Sequence, residues 1–84
     1  MKQYRKLPVT IDAICWTGKN IEEVIEFTKG SAKVLIDDEG THLVIKTLEG
    51  RHEATINDMI IKGVKGEFYP CKNGIFWMTY EKVE

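Results

Sequence analysis

One stretch constrains the fold more than any other. Asp58-Met59-Ile60-Ile61-Lys62 leads into a Gly63-Val64-Lys65-Gly66 turn and returns as Glu67-Phe68-Tyr69-Pro70-Cys71. Beyond Lys72-Asn73-Gly74 it continues Ile75-Phe76-Trp77-Met78-Thr79-Tyr80. Two short apolar runs on either side of a glycine-bounded turn predict a hairpin, because glycine supplies the backbone angles that a tight reversal needs. Pro70 has no N–H to give to a ladder, so the returning strand lies at an edge or stops there. Five of the eight aromatic residues of the chain fall in this stretch. On a strand, neighbouring side chains point to opposite faces, which sends one of Phe68 and Tyr69 into the core and the other outward.

The rest of the chain supplies partners for that hairpin. Pro8-Val9-Thr10-Ile11-Asp12-Ala13-Ile14-Cys15-Trp16 alternates with period two, and Thr17-Gly18-Lys19 closes it as a strand. Val9, Ile11, Ala13 and Cys15 form one face. Ile14 and Trp16 make the end of the other face apolar, so that end meets a second layer, another subunit or a ligand. Asn20 then begins the one clear helix, about nine residues long, with Glu23 at capping-box spacing and a stripe of Ile21, Val24, Ile25 and Thr28. Gly30 is its stop. A helix this short has to pack on a sheet.

After Gly30 the pattern is strands and tight turns. Lys33–Asp37, His42–Leu48 and Arg51–Ile56 are strands, joined at Asp38-Glu39-Gly40 and by a two-residue Glu49-Gly50 connection. Met59–Lys62 and Glu67–Cys71 follow. Ile75–Met78 is read as a single helical turn before a last strand over Thr79–Val83. One helix and six to seven short strands give an α+β chain, a single small domain over residues 1–84. Its expected form is a strongly curled antiparallel sheet or a small open β-barrel.

Composition narrows the function classes. With 84 residues, 43% apolar and 30% charged, the chain is built to fold, with a thin stability margin that a partner surface would widen. Self-association is therefore expected. No apolar run approaches a membrane span and no secretory core follows Met1, so the expected setting is cytoplasmic. Cys15 and Cys71 lack metal-ligand spacing with each other or with His42 and His52, which predicts free thiols, no metal and no cofactor. Residues 20–58 are acidic and both ends mildly basic. The net charge of −1 excludes a nucleic-acid binder held by bulk charge alone.

The chain resembles a family of small, mostly uncharacterised proteins of tailed bacteriophages and prophages. Two anchors carry the resemblance: Tyr4-Arg5-Lys6, Pro8-Val9, Ile11, Ala13 and Trp16-Thr17-Gly18 at the start, then Asp58 through Tyr69-Pro70-Cys71 with Phe76 and Thr79-Tyr80-Glu81. The signature is D-x-I-I-K-G-V-K-G-E-F-Y-P-C. Where this chain has Asn57-Asp58-Met59, family members read glycine, aspartate and an aromatic. The resemblance implies a phage accessory protein acting in the bacterial host and implies no particular activity.

The candidate chemistry is binding. Asp58 is read as tying its turn through backbone N–H groups. Ser31 has no triad partners, and no catalytic set can be assembled. Cys71 is read as an inert buried thiol, although Lys72 beside it would lower its pKa. His42 and His52 are read as exposed strand residues facing each other across the Glu49-Gly50 hairpin. The turn amides with Lys62 and Lys65 would cradle a phosphate, and Arg5, Trp16, Phe68, Tyr69 and Trp77 would stack or pair with an anionic ligand. The leading expectation is a phage-encoded, non-enzymatic binding protein that sequesters a nucleotide-like ligand against host defence. The alternatives are a module that inhibits or recruits a host protein through its aromatic surface, and a weak single-strand nucleic-acid binder.

Overall fold

A computed structural model describes residues 1–83. In chain order the elements are β1 (Asp12–Cys15), α1 (Ile21–Phe27), β2 (Ala32–Asp37), β3 (Gly40–Thr47), β4 (Gly50–Ala54), β5 (Met59–Lys62), β6 (Phe68–Cys71) and α2 (Asn73–Thr79). The strands make two antiparallel three-stranded sheets, ordered β1-β5-β6 and β2-β3-β4. The chain is therefore α+β, but the expected curled sheet or open barrel is wrong: the ladder is broken between β4 and β5.

The physical cause of the break is the turn Thr55-Ile56-Asn57-Asp58. The Asp58 carboxylate accepts from the Thr55 N–H at 2.9 Å and from its hydroxyl at 3.1 Å. Asn57 has φ +79°, a conformation that favours glycine. Both Asn57 and Asp58 face Trp16, whose N–H donates to the Asp58 carbonyl at 2.8 Å and whose carbonyl accepts from the Asn57 N–H at 2.7 Å. That is a β-bulge of the kind that ordinarily carries glycine at its first position. The bulge redirects β5 away from β4 and onto β1, in the register Asp12↔Lys62, Ile14↔Ile60 and Cys15↔Met59.

The first sheet is covered on both faces, which explains why Met59-Ile60-Ile61 reads as a continuous apolar run. Toward the second sheet, Trp16, Ile60 and Phe68 pack with Leu43, Ile45 and Ala54, and α1 closes this core with Val24. Phe27 meets Phe68 edge-on at 5.5 Å. On the opposite face Met59 and Ile61 are covered by Phe76 of α2, with Ala13, Cys15, Tyr69 and Tyr80 around them.

Three local readings change. Asn20 starts α1, but its side chain does not cap the helix. Its carbonyl oxygen accepts from the Thr17 N–H and hydroxyl, and its amide donates to Glu23 and to the Cys15 carbonyl. The expected last strand over Thr79–Val83 is absent among the described residues. Instead the single turn at Ile75–Met78 extends to the seven-residue α2, because Phe76 and Tyr80 at i, i+4 spacing both cover the first sheet. The second hairpin turns on Leu48-Glu49, since Thr47 pairs with Gly50. It repeats the first, in which Asp37 pairs with Gly40. In each, the side chain of the residue before the turn accepts from a glutamate N–H, Asp37 from Glu39 and Thr47 from Glu49.

Candidate functional site

The site grows out of β1. The Trp16 N–H and carbonyl are both directed at the β5 side, so by the two-residue period those of Ile14 and Asp12 are as well. The backbone groups of Ile11, Ala13 and Cys15 consequently point away from the sheet. Among the described residues only the Cys15 carbonyl of these is taken, by the Asn20 side-chain amide at 2.8 Å. β1 is an outer strand of its sheet, and Asn20 marks where its open edge ends. The other outer strand, β6, lies against β3 and β4.

Beside that edge lies a groove of about 420 Å³, lined by Val9, Ile11, Ala13, Met59, Trp77 and Val83 among others. Its far wall is α2. The Lys72 ammonium donates to the Thr55 hydroxyl at 2.9 Å and reaches Asp58 at 3.4 Å, and the Asn73 side-chain amide donates to the Asn57 carbonyl at 3.1 Å. The tied turn that separates the sheets thus also anchors the start of α2. Phe76 then holds Trp77 edge-on at 5.0 Å and Tyr80 at 5.0 Å. Phe76 is buried, whereas Trp77 is 51% exposed and Ile75 and Met78 are exposed beside it. A short helix that shows solvent three large apolar side chains presents a recognition surface rather than a finished core.

The residues singled out from sequence scatter. Trp16 and Phe68, 2% and 5% exposed, belong to the core between the sheets, so neither presents a ring face to a ligand. Tyr69 is half-buried and lines a second cleft of about 410 Å³ with Leu48, Glu49, His52, Glu67 and Pro70. Its hydroxyl pKa is pushed up to about 12, by burial first and by the neighbouring Tyr80 phenol next. Lys62 ends β5, Lys65 is exposed on the turn and Arg5 is exposed in the segment before β1; none of the three lines either cleft. Trp77 alone is both exposed and in the groove.

The glycine turn is already occupied. The Gly63 N–H donates to the Glu67 carbonyl at 2.7 Å and the Gly66 N–H to the Gly63 carbonyl at 3.0 Å. The Glu67 carboxylate folds over Gly63, filling the space that a β-carbon would take there. At both glycines a phosphate would meet a spent amide, and at Gly63 a like charge as well. Cys71 is not activated by Lys72, whose ammonium is turned to Thr55 and Asp58. Burial, and then the Asp58 charge, raise the thiol pKa.

His42 and His52 lie on opposite faces of the second sheet, not across from each other: His52 pairs with Ile45 in register, and His42 is one step out of phase with it. On the outer face His42 bridges Asp37 at 2.9 Å and Glu53 at 3.2 Å. These partners hold its pKa above the ordinary histidine value, the Asp37 hydrogen bond being the larger cause. No group of three or more His, Cys, Asp or Glu among the described residues could hold a metal ion, and no helix among them is long and apolar enough to cross a membrane.

The open edge and the groove were missed from sequence. The alternation over Pro8–Trp16 contained the signal, but nothing local says that β1 is outermost, as Pro70 does for β6. Comparison with known protein families, with characterised proteins and with solved structures finds no match.

Proposed function

We propose that the chain is a non-enzymatic binding protein of the phage accessory type, working in the cytoplasm of a bacterial host, and that its ligand is an extended protein segment. The observation that carries this reading is the open edge of β1 lying along a groove that holds the half-exposed Trp77. An added strand would gain main-chain hydrogen bonds from Ile11 and Ala13, and every second side chain would enter the groove. The sequestration of a nucleotide-like anion, and single-strand nucleic-acid binding, draw less support, because the Gly63 and Gly66 amides are used internally and Glu67 covers Gly63.

The test is selection of peptides from a random displayed library on the immobilised chain. The reading expects apolar-alternating peptides that bind the native protein and lose binding on Trp77→Ala and on Ala13→Pro. It is overturned if no such peptide is selected, or if mononucleotides raise the melting temperature and Lys65→Ala removes the rise.

A further inference from the structure

The open edge has a complement within the chain itself. We propose that the segment seated along β1 is the Leu7–Ile11 stretch leading into β1 of a second copy, which continues β1 as one longer strand paired antiparallel about a two-fold axis at Ile11; this rests on the reading of β1 and the groove as a docking site for an extended segment. The two sheets then join into one of six strands, ordered β6-β5-β1-β1-β5-β6, in which each copy offers the other the same surface.

Three observations support the assignment. The first is the backbone. Among the described residues nothing uses the outward N–H and carbonyl groups of Ile11 and Ala13, and Asn20 takes the Cys15 carbonyl where the edge should end. With Ile11 on the axis, Val9 faces Ala13 of the second copy and Leu7 faces Cys15 of the second copy. Pro8, which has no N–H, falls at a position whose backbone points away from the partner. Thr10 lies opposite Asp12 of the second copy, and the two Asp12 side chains do not meet; an axis one residue later would put them face to face.

The second observation is charge. The segment before β1 carries Lys2, Arg5 and Lys6, all exposed. α1 carries Glu22, Glu23 and Glu26, all exposed, and among the described residues none of these glutamates forms an ion pair. In this register Arg5 lies opposite Thr17 and Lys2 opposite Asn20 of the second copy. That places the basic segment of each copy at the acidic start of the other's α1. The pairing occurs twice, once at each end of the joined strands.

The third observation is apolar. Tyr4 and Leu7 are 90% and 81% exposed and Val9 is about half exposed in a single copy. Leu7 and Val9 share the strand face of Ile11 and Ala13, so pairing brings them onto the side of the joined sheet that carries α2 and Trp77.

The experiment is sedimentation velocity on the full chain from low to high micromolar concentration. A reversible monomer–dimer equilibrium is expected. Ala13→Pro, which removes an outward N–H that the fold does not use, leaves a folded monomer. Arg5→Glu, on an exposed segment where it cannot unfold the protein, weakens the dimer about ten-fold. Adding Glu22→Arg to it restores most of the loss. Register is read by Leu7→Cys, which under mild oxidation forms an intermolecular disulfide with Cys15 that Cys15→Ser abolishes. A monomer at every concentration overturns the proposal, as does a dimer indifferent to both Ala13→Pro and Arg5→Glu. If the chain stays monomeric yet selected peptides bind and depend on Trp77, only self-pairing fails. If peptides fail as well, the docking site itself is wrong.

Discussion

The two sheets solve different problems with the same number of strands. The first sheet is sandwiched, with the second sheet and α1 on one face and α2 on the other, and its central strand is buried at Met59, Ile60 and Ile61. The second sheet buries one face and turns the other to water, where His42, Asp37 and Glu53 link three strands by polar contacts. Exposed apolar side chains in the second sheet sit singly or on hairpins. Those near the first sheet gather on α2 and in the segment before β1. The apolar surface left over after the first sheet is covered is therefore where a partner has most to gain.

That contrast can be broken most directly in the cores. Ile60→Ala, at a side chain with no exposure, should cost about 2–5 kcal/mol in denaturant unfolding, whereas Leu35→Ala on the outer face of the second sheet, 56% exposed, should cost no more than about 0.5 kcal/mol. Equal losses would mean that the sheets are not covered differently. Asp58→Ala removes the acceptor for the Thr55 N–H and hydroxyl and the counter-charge of Lys72. An expected loss of about 1–3 kcal/mol, with reduced binding at the groove because α2 loses its anchor, can be followed by unfolding and peptide titration together. Asn57→Gly relieves a positive φ at the bulge and should stabilise by up to about 1 kcal/mol. Destabilisation there would show that the Asn57 side chain, not its backbone, holds the turn.

The smallest effect belongs to the polar face of the second sheet. The folded-state pKa of His42 is raised, so its contribution is fully present below the unfolded value of 6.5 and fades as pH rises through the folded value. Asp37 is lowered from 3.8, chiefly by its hydrogen bond from His42, so its contribution is present above 3.8 and is lost as pH falls through the folded value. The difference in melting temperature between the native chain and His42→Gln should be widest between those two limits, shrink on either side of them and diminish with added salt. A difference constant from pH 4 to 9 would remove charge from the account of that face.

What sequence could reveal was local. The start of α1, the tie at Asp58 and the return at Gly63–Gly66 all depend on residues a few positions apart and are found in place, as are the hairpins, with the second turning one residue earlier than expected. The pairing of β1 with β5 joins segments more than 40 residues apart in the chain, and no turn chemistry announces it. The same blindness hid the candidate site. Trp16 and Phe68 look as available as Trp77 until the second sheet is placed over them, and the open edge exists only because β1 is outermost. The break of the ladder at Asn57 went unannounced, because no glycine marks its positive φ.

The central claim is that β1 keeps an open edge until a partner covers it, and amide hydrogen exchange across a dilution series tests it at single residues. At every concentration Ile14 and Trp16, whose N–H groups face β5, should be protected. In dilute protein Ala13 should exchange rapidly, and it should slow as the protein is concentrated or as a selected peptide is added. Ala13 protected as strongly as Ile14 in the most dilute sample would contradict the account, because the edge would then already be closed within a single chain.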